Sequence, residues 1–315
     1  MSEIMIDSAR RAGGPPGDGS GVGLAAPPRS GRQVTARVLL GWLPPDRAEE
    51  LLASAPNVPS LPAERRSMLL RAREAVAARA PGVDQSDLLS EPPVGLADHI
   101  SRLRATAAGA EKLQRGCRVR MVDLSRVVAH QPHVFSDVAD GHIANVDTES
   151  PRAVAELTLP VEPPDAAAEA AFTQHYDEQR RIYTFTSTNP NLKVLGNISA
   201  PLRGASGVGG FGFAVGTGVS FVEVARCQGR YVLRDGYHRA AALLRRGVSR
   251  VPALVRDSDG YEPSPSGMIP LATVLGPRPP LLGDYHDDLV SVTVLRPGYR
   301  RVIVIQGLEL SVLDG

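Results

Sequence analysis

Cysteine is scarce: Cys117 and Cys227 are the only two in 315 residues. That is too few for a disulfide-built scaffold or a four-cysteine zinc site. Lysine is scarcer still for a chain of this length, with only Lys112 and Lys193; the rest of the 35 basic residues are arginine. Such usage reflects GC-rich coding more than a demand for guanidinium chemistry. An excess of either charge is also missing. Lys+Arg is 35 and Asp+Glu is 34, a formal net charge of +1. Global charge therefore gives no reason to expect nucleic acid or an anionic membrane as partner, although a local basic patch stays open. No run of about 18 apolar residues exists, so no membrane-spanning helix is expected. The first residues, MSEIMIDSARRAGG, lack the apolar core of a signal peptide. The expectation is a soluble, cytoplasmic protein.

What is present suffices for a real core. Apolar residues make up 43% and charged residues 22%, both ordinary globular values. The length suggests two domains, or one domain with an extension. Residues 1–33 are mostly Gly, Pro, Ser, Arg and Ala, and bury too little to offset their ordering entropy. Residues 34–116 read as a helical region. One helix starts at Pro44-Pro45 and runs to about Ala53. A second starts near Leu61, carries Leu69, Ala72, Val76 and Ala80 at helical spacing, and stops at Pro81-Gly82. A third starts at Ala97, with Ile100, Leu103 and Ala107 on one face.

The pattern changes at Cys117. VRMVDLSRVVAHQP reads as a short strand followed by a helical turn opened by Asp123 or Ser125. Residues 148–170 read as a connection, and AAEAAFTQHYDEQRRIY as a helix. VSFVEVARCQGRYVLRDG is a hairpin signal around Gln228-Gly229. HRAAALLRRGV is a helix and VPALVRD a strand. Residues 257–283 are rich in Pro and Gly. The remaining tail reads as two or three strands around Pro297-Gly298 and Gln306-Gly307.

The strongest chemical signal lies in Gly229–Val255: strand, Asp-Gly turn, helix, Gly247, strand. The turn drops directly into a helix N-terminus. There the first backbone N–H groups have no intrahelical partner, and the dipole adds partial positive charge. That is an anion-binding arrangement. Gly236 lets a ligand approach the backbone. His238 and Arg239 fall in the first helical turn, where a cation opposes the dipole unless an anion compensates it. A bound phosphate would do so. Asp235, at the strand end, is placed to hold a metal ion or accept a hydroxyl proton. The competing reading is that Asp235 is an N-cap and that His238 and Arg239 are solvated.

DGYHRAAAL resembles the Asp-Gly-X-X-Arg turn of the ParB/sulfiredoxin-like superfamily, and most of all the variant in its ParB-like nucleotide-dependent kinases. VRMVDLSRVVAHQPHVFSD resembles that family's opening segment. The resemblance covers roughly 118–256, with an insertion near 140–200. It implies an α/β fold: a ParB/sulfiredoxin-like mixed α/β domain over 117–256, an N-terminal helical region over 34–116, and a β-rich tail over 257–315. It also implies nucleotide phosphates at Gly236, Tyr237, His238 and Arg239. ATP or another nucleoside triphosphate with Mg²⁺ is the expected ligand, Asp235 and His238 the expected catalytic pair, and Asp235 the metal ligand. An acceptor with a small hydroxyl group is implied. Tyr237 stands where a sulfiredoxin needs cysteine, which argues against sulfinic-acid repair. Pro/Gly-rich sequence and strands follow the module where a partition clamp carries a helix-turn-helix domain. The second acid of the kinases has only Asp137 and Asp140 as candidates. The alternative function is a non-catalytic regulatory protein that binds DNA or a partner.

Other features carry less. Gly207–Gly212 fits G-x-G-x-x-G, but a dinucleotide site needs a helix after it; the stretch 204–218 is read instead as a glycine-rich lid or a surface loop. His130, His133 and His142 hint at metal, with ordinary surface histidines the favoured reading. Asp284, Asp287 and Asp288 read as a solvated turn. Ser206 and Ser220 have no His/Asp partner legible in the sequence. Arg245, Arg246 and Arg250 read as an exposed helix flank. On the phosphate reading, Arg239→Ala weakens ATP binding, and the ligand-free stability changes little or even rises.

Overall fold

A computed structural model describes residues 33–161, 172–187, 192–201, 209–257, 268–298 and 301–306. The expectation for residues 1–32 lies outside the described residues. Position 33 is described, as the first residue of a strand. The molecule is mixed α/β, as expected.

The central layer is a sheet in the order β10-β9-β11-β3-β2. Its strands are β2 (Leu89–Ser90), β3 (Arg118–Asp123), β9 (Glu223–Cys227), β10 (Arg230–Asp235) and β11 (Arg250–Arg256). β9 and β10 form the expected hairpin. Gln228 and Gly229 both have positive φ, at 45° and 83°. Positive φ at both loop residues is the primed turn whose twist matches a two-residue hairpin. β11 lies parallel to β9 and antiparallel to β3. Beyond β10, Val128 bridges Val232 on one side and Leu281 on the other. The segment after β3 thus lines the free edge of β10. Asp123 accepts from Ser125 N and opens a 3-10 turn at Leu124–Arg126, as the sequence suggested.

Helix α1 (Pro45–Ala53), α2 (Pro62–Ala78), α3 (Ala97–Ala105) and α4 (Ala107–Gln114) fill most of the N-terminal region. The last two were expected as one helix. Thr106 separates them, because its extended backbone lets its hydroxyl cap α4 through Gly109 N. The region is not purely helical. It opens with β1 (Gln33–Val38), whose alternating burial places Val34, Ala36 and Val38 inward. β1 pairs with β4 (His133–Phe135) on one side and β12 (Val292–Pro297) on the other. The N-terminal region and the C-terminal tail therefore share one sheet. Arg79 completes the link: it lies over the Trp42 ring at 5.2 Å and bonds Asp284 and Asp287 at 2.8 and 2.7 Å. Asp284 is 7% exposed and Tyr285 is fully buried, so Asp284 is no part of a solvated turn, whereas Asp288 is exposed as expected.

Between these parts lie α5 (Ser136–Ile143) and α6 (Pro151–Thr158). The second was expected as a connection. Ser150 caps it through Ala153 N, and Pro151 occupies the first helical position, where its missing N–H costs nothing. The stretch expected as a helix from Ala167 is instead a hairpin over its described part. β5 (Phe172–Asp177) pairs with β6 (Ile182–Ser187), and Tyr176 stacks on Tyr183 at 4.3 Å. Phe, Thr, Tyr and Ile at these positions pack across a ladder, which outweighs the helix propensity of the flanking Glu, Gln and Arg. β7 (Leu192–Pro201) and β8 (Gly209–Thr217) form a further hairpin. β13 (Arg301–Gln306) pairs with β6 and not with β12, so the tail strands belong to different sheets.

Candidate functional site

The site is built where β10 meets α7 (Tyr237–Arg245). The strand ends at Asp235 and the helix starts two residues later, as the sequence predicted. Gly236 makes the turn with φ of +85°. A Cβ there would sit 2.8 Å from Val222 Cγ2 and 3.0 Å from Val222 Cα. Glycine is thus required by dihedral and by space together. The β9–β10 register slips between Leu233 and Asp235, so Arg234 is the extra residue of a bulge. Bulges re-aim side chains beside sites. After Tyr237, α7 buries Ala240, Ala241, Ala242 and Leu243, and their small volume brings the helix close to the sheet.

Asp235, Gly236, Tyr237, His238 and Arg239 all line one cavity of about 560 Å³, shared with Arg234, His142, Gln131, Glu156 and Ser220. The volume is ordinary for a small-molecule site. The five residues of the motif are therefore brought together, but Tyr237, His238 and Arg239 differ from expectation.

Arg239 is not solvated. It is 7% exposed, and its guanidinium spends its bonds on protein. Nη1 donates to Leu157 O at 3.0 Å and to Ser220 O at 2.7 Å, and Nη2 donates to Ser220 Oγ at 2.8 Å. These partners are neutral. Burial pulls its pKa down, and Asp235 and Glu223 pull it back up. Arginine stays charged even so. The expectation of unchanged stability without Arg239 is corrected accordingly, because the side chain ties α7 to α6 and to the segment before β9.

His238 is not a cation opposing the dipole. Burial first, then His142, His133 and Arg239, push its pKa down to about 4. Its ring stacks on Phe135 with centroids 5.7 Å apart and planes 5° from parallel. Nε2 is shielded from water and has no hydrogen-bond partner among the described residues. The conflict with the helix dipole is removed by neutralisation.

Asp235 is held at both oxygens. Oδ1 accepts from Gly236 N at 2.6 Å and Oδ2 from Ser220 Oγ at 3.0 Å. Tyr237 is structural: its hydroxyl donates to Leu233 O and accepts from His130 N at 3.0 Å. Ser220, which has no partner legible in the sequence, finds one in Asp235. Hairpin arithmetic is the signal that finds it. With Cys227 opposite Arg230 and Glu223 opposite Asp235, the residues just before β9 must lie beside the DGYHR turn.

The other candidates disperse. Asp137 Oδ2 accepts from Thr35 N, and Asp140 pairs with Arg245; neither lines the cavity. His130 is 2% exposed and is no surface histidine. Arg250 donates to Ser90 Oγ and Asp87 O. The G-x-G-x-x-G stretch runs into β8, so no helix follows it and the dinucleotide reading fails. Ser206 and residues 202–208 lie outside the described residues. Among the described residues no group of three His, Cys, Asp or Glu gathers as a metal site. No described helix is long and apolar enough to cross a membrane.

Compared with protein-family models, with curated proteins and with solved structures, the chain matches none.

Proposed function

We propose that this chain binds a nucleoside triphosphate at the Asp235–Arg239 turn, as a nucleotide-binding protein of the ParB-like class, and passes a phosphoryl group to a hydroxyl acceptor. The observation that carries the reading is the cavity wall itself. A left-handed glycine starts α7 at its wall, a buried arginine with neutral partners stands behind it, and the neutral His238 lines it. The N-terminal end of a helix dipole and a buried cation favour an anion with several oxygens.

The roles divide as follows. The amides at the start of α7 take phosphate oxygens, while Arg239 supplies positive potential from behind the wall. His238, held neutral, adds no charge of its own to the wall. Asp235 is the carboxylate at the turn. Mg²⁺ bound by a triphosphate takes most of its ligands from phosphate and water, so one protein carboxylate is enough. Asp235 fits that role through the lone pairs left on its oxygens, and the ion would neutralise phosphate charge there. Membrane partners play no part in this reading.

Titration calorimetry with ATP, GTP and ADP, with and without Mg²⁺, tests it. Turnover is then followed with a panel of small hydroxyl acceptors, and DNA is tested by electrophoretic shift. Saturable triphosphate binding that Asp235→Asn and Tyr237→Phe alter unequally supports the reading. DNA retardation without nucleotide binding overturns it in favour of the regulatory alternative.

A further inference from the structure

We propose that Ser220 is the first phosphoryl acceptor of this cavity, so that a phosphoserine forms on the chain itself. The proposal rests on the triphosphate reading above and adds the residue that attacks.

Three bonds define the arrangement. Ser220 Oγ donates its one proton to Asp235 Oδ2 at 3.0 Å. The same oxygen accepts from Arg239 Nη2 at 2.8 Å. Arg239 Nη1 also holds the Ser220 carbonyl at 2.7 Å. A serine hydroxyl has one proton and two lone pairs. Asp235 takes the proton and Arg239 takes one lone pair, which leaves one lone pair on Oγ. Ser220 lines the cavity together with Gly236 and His238, so the hydroxyl and the start of α7 share one space.

The chemistry of the three groups is complementary. A serine hydroxyl is a weak nucleophile until a neighbouring base takes its proton. Asp235 is that base. A buried guanidinium on the same oxygen stabilises the alkoxide as it develops, in a site where donors need not reorganise. Asp235 is itself fixed by Gly236 N at 2.6 Å, and the segment carrying Ser220 is pinned by Val222 N donating to Thr158 O. The triad is thus preorganised from both sides.

The step balances as a displacement. The Ser220 Oγ–H bond breaks and its proton goes to Asp235. A bond forms between Oγ and the γ-phosphorus of the nucleoside triphosphate. The bond between that phosphorus and the β,γ-bridging oxygen breaks, and the nucleoside diphosphate leaves with the electron pair. The phosphoserine that results lies against Arg239. A hydroxyl acceptor, or water, then takes the phosphoryl group and Ser220 regains its proton.

The test uses the full chain with ATP labelled in the γ-phosphate, Mg²⁺, acid quench and peptide mapping. The expected result is acid-stable label at Ser220 of the wild-type protein. Acid stability separates phosphoserine from phosphohistidine at His238 or His142. Label is expected to vanish in Ser220→Ala and to move to the new hydroxyl in Ser220→Thr. Asp235→Asn is expected to slow labelling by about a hundredfold or more, the scale of a lost general base. Calorimetry with ATP on the same wild-type sample separates two failures. ATP binding without label, or with label elsewhere, overturns the Ser220 proposal and leaves the triphosphate reading standing. No ATP binding overturns both. Mapping on the wild-type chain keeps the answer independent of how well any variant folds.

Discussion

Arg239 grips Ser220 at two points, with Nη1 on the backbone carbonyl at 2.7 Å and Nη2 on the side-chain hydroxyl at 2.8 Å. One residue on α7 thereby fixes both the path and the rotamer of a residue on the segment before β9. The third bond, to Leu157 O at 3.0 Å, brings in the end of α6. Three separate parts of the chain converge on one guanidinium. This is why a residue that reads as a ligand group in the sequence is also a structural bracket.

Arg239→Ala is therefore expected to destabilise the ligand-free protein. It leaves Leu157 O and Ser220 O without their donor in a half-buried place; a fully buried orphaned acceptor costs about 1–3 kcal/mol, and partial access to water reduces that. The expected loss is about 1–2 kcal/mol in urea unfolding. Arg239→Lys is expected to recover only part of it, because one ammonium cannot reproduce the planar fork. Equal midpoints for wild type and Arg239→Ala would show that the bracket carries no stability.

Gly236→Ala is expected to be costly although it adds only a methyl group. The left-handed φ of +85° is disfavoured for alanine by about 1–2 kcal/mol. The new Cβ would also meet the Val222 Cα at 3.0 Å, which is backbone and yields little. Overpacking adds about 1–3 kcal/mol. We expect a total near 3 kcal/mol in thermal or urea unfolding. Gly236→Ala in a Val222→Ala background should recover the part due to Val222 Cγ2 and none of the dihedral part.

The turn and the helix after it were legible because Asp-Gly followed by an amphipathic run is a local signal. The Gln228-Gly229 hairpin was legible for the same reason. What the side chains touch was not. Whether Arg239 faces water or protein depends on where α6 packs, and α6 begins with Ser150-Pro151 inside a stretch that looks like a linker. The partnership of Ser220 with Asp235 is set by strand register across fifteen residues, and a bulge at Arg234 shifts it by one. The pairing of β1 with β12 spans nearly the whole chain, so no window of sequence contains it. The stretch from Ala167, which reads as a helix, shows the limit of propensity: cross-strand packing of Tyr176 on Tyr183 decides it.

Arg79 should matter more than a surface arginine. It bonds Asp284, which is 7% exposed, and Asp287, and lies over Trp42. Burial pushes the Asp284 carboxyl up, while Leu281 N and Arg79 hold it down. Removing Arg79 leaves that carboxylate buried beside Asp287 without its cation. Removing one partner of a buried pair costs about 3–5 kcal/mol. Arg79 is itself partly exposed, so we expect about 2 kcal/mol for Arg79→Ala. The double variant Arg79→Met with Asp284→Asn should lose less than the sum of the single variants. Strict additivity in a double-mutant cycle would show that the two side chains act independently.

Stability should fall as the solution is acidified through the histidine range. Burial, with Arg296 in addition, pushes His133 down to about 4, and burial with His142, His133 and Arg239 does the same to His238. The unfolded chain protonates these rings near their ordinary value of 6.5. Above that value both states carry neutral imidazoles and pH has no effect through them. Below it the unfolded state binds protons that the folded state refuses, so the balance moves toward unfolding until the folded rings titrate near 4. A fully shielded pair would lose about 4 kcal/mol between about pH 7 and about pH 5. Both rings are partly solvated, which reduces the expected loss to about 2 kcal/mol. Carboxylates contribute their own slope, so the informative measurement is a difference. Urea midpoints of wild type, His133→Gln and His238→Gln are compared at about pH 7, 6 and 5, a range where unfolded histidines titrate. Each variant should show a flatter profile than wild type, by about 1 kcal/mol at the acidic end. Parallel profiles would mean that neither ring is held neutral by the fold, and the account of His238 as an uncharged group at the start of α7 would fall with them.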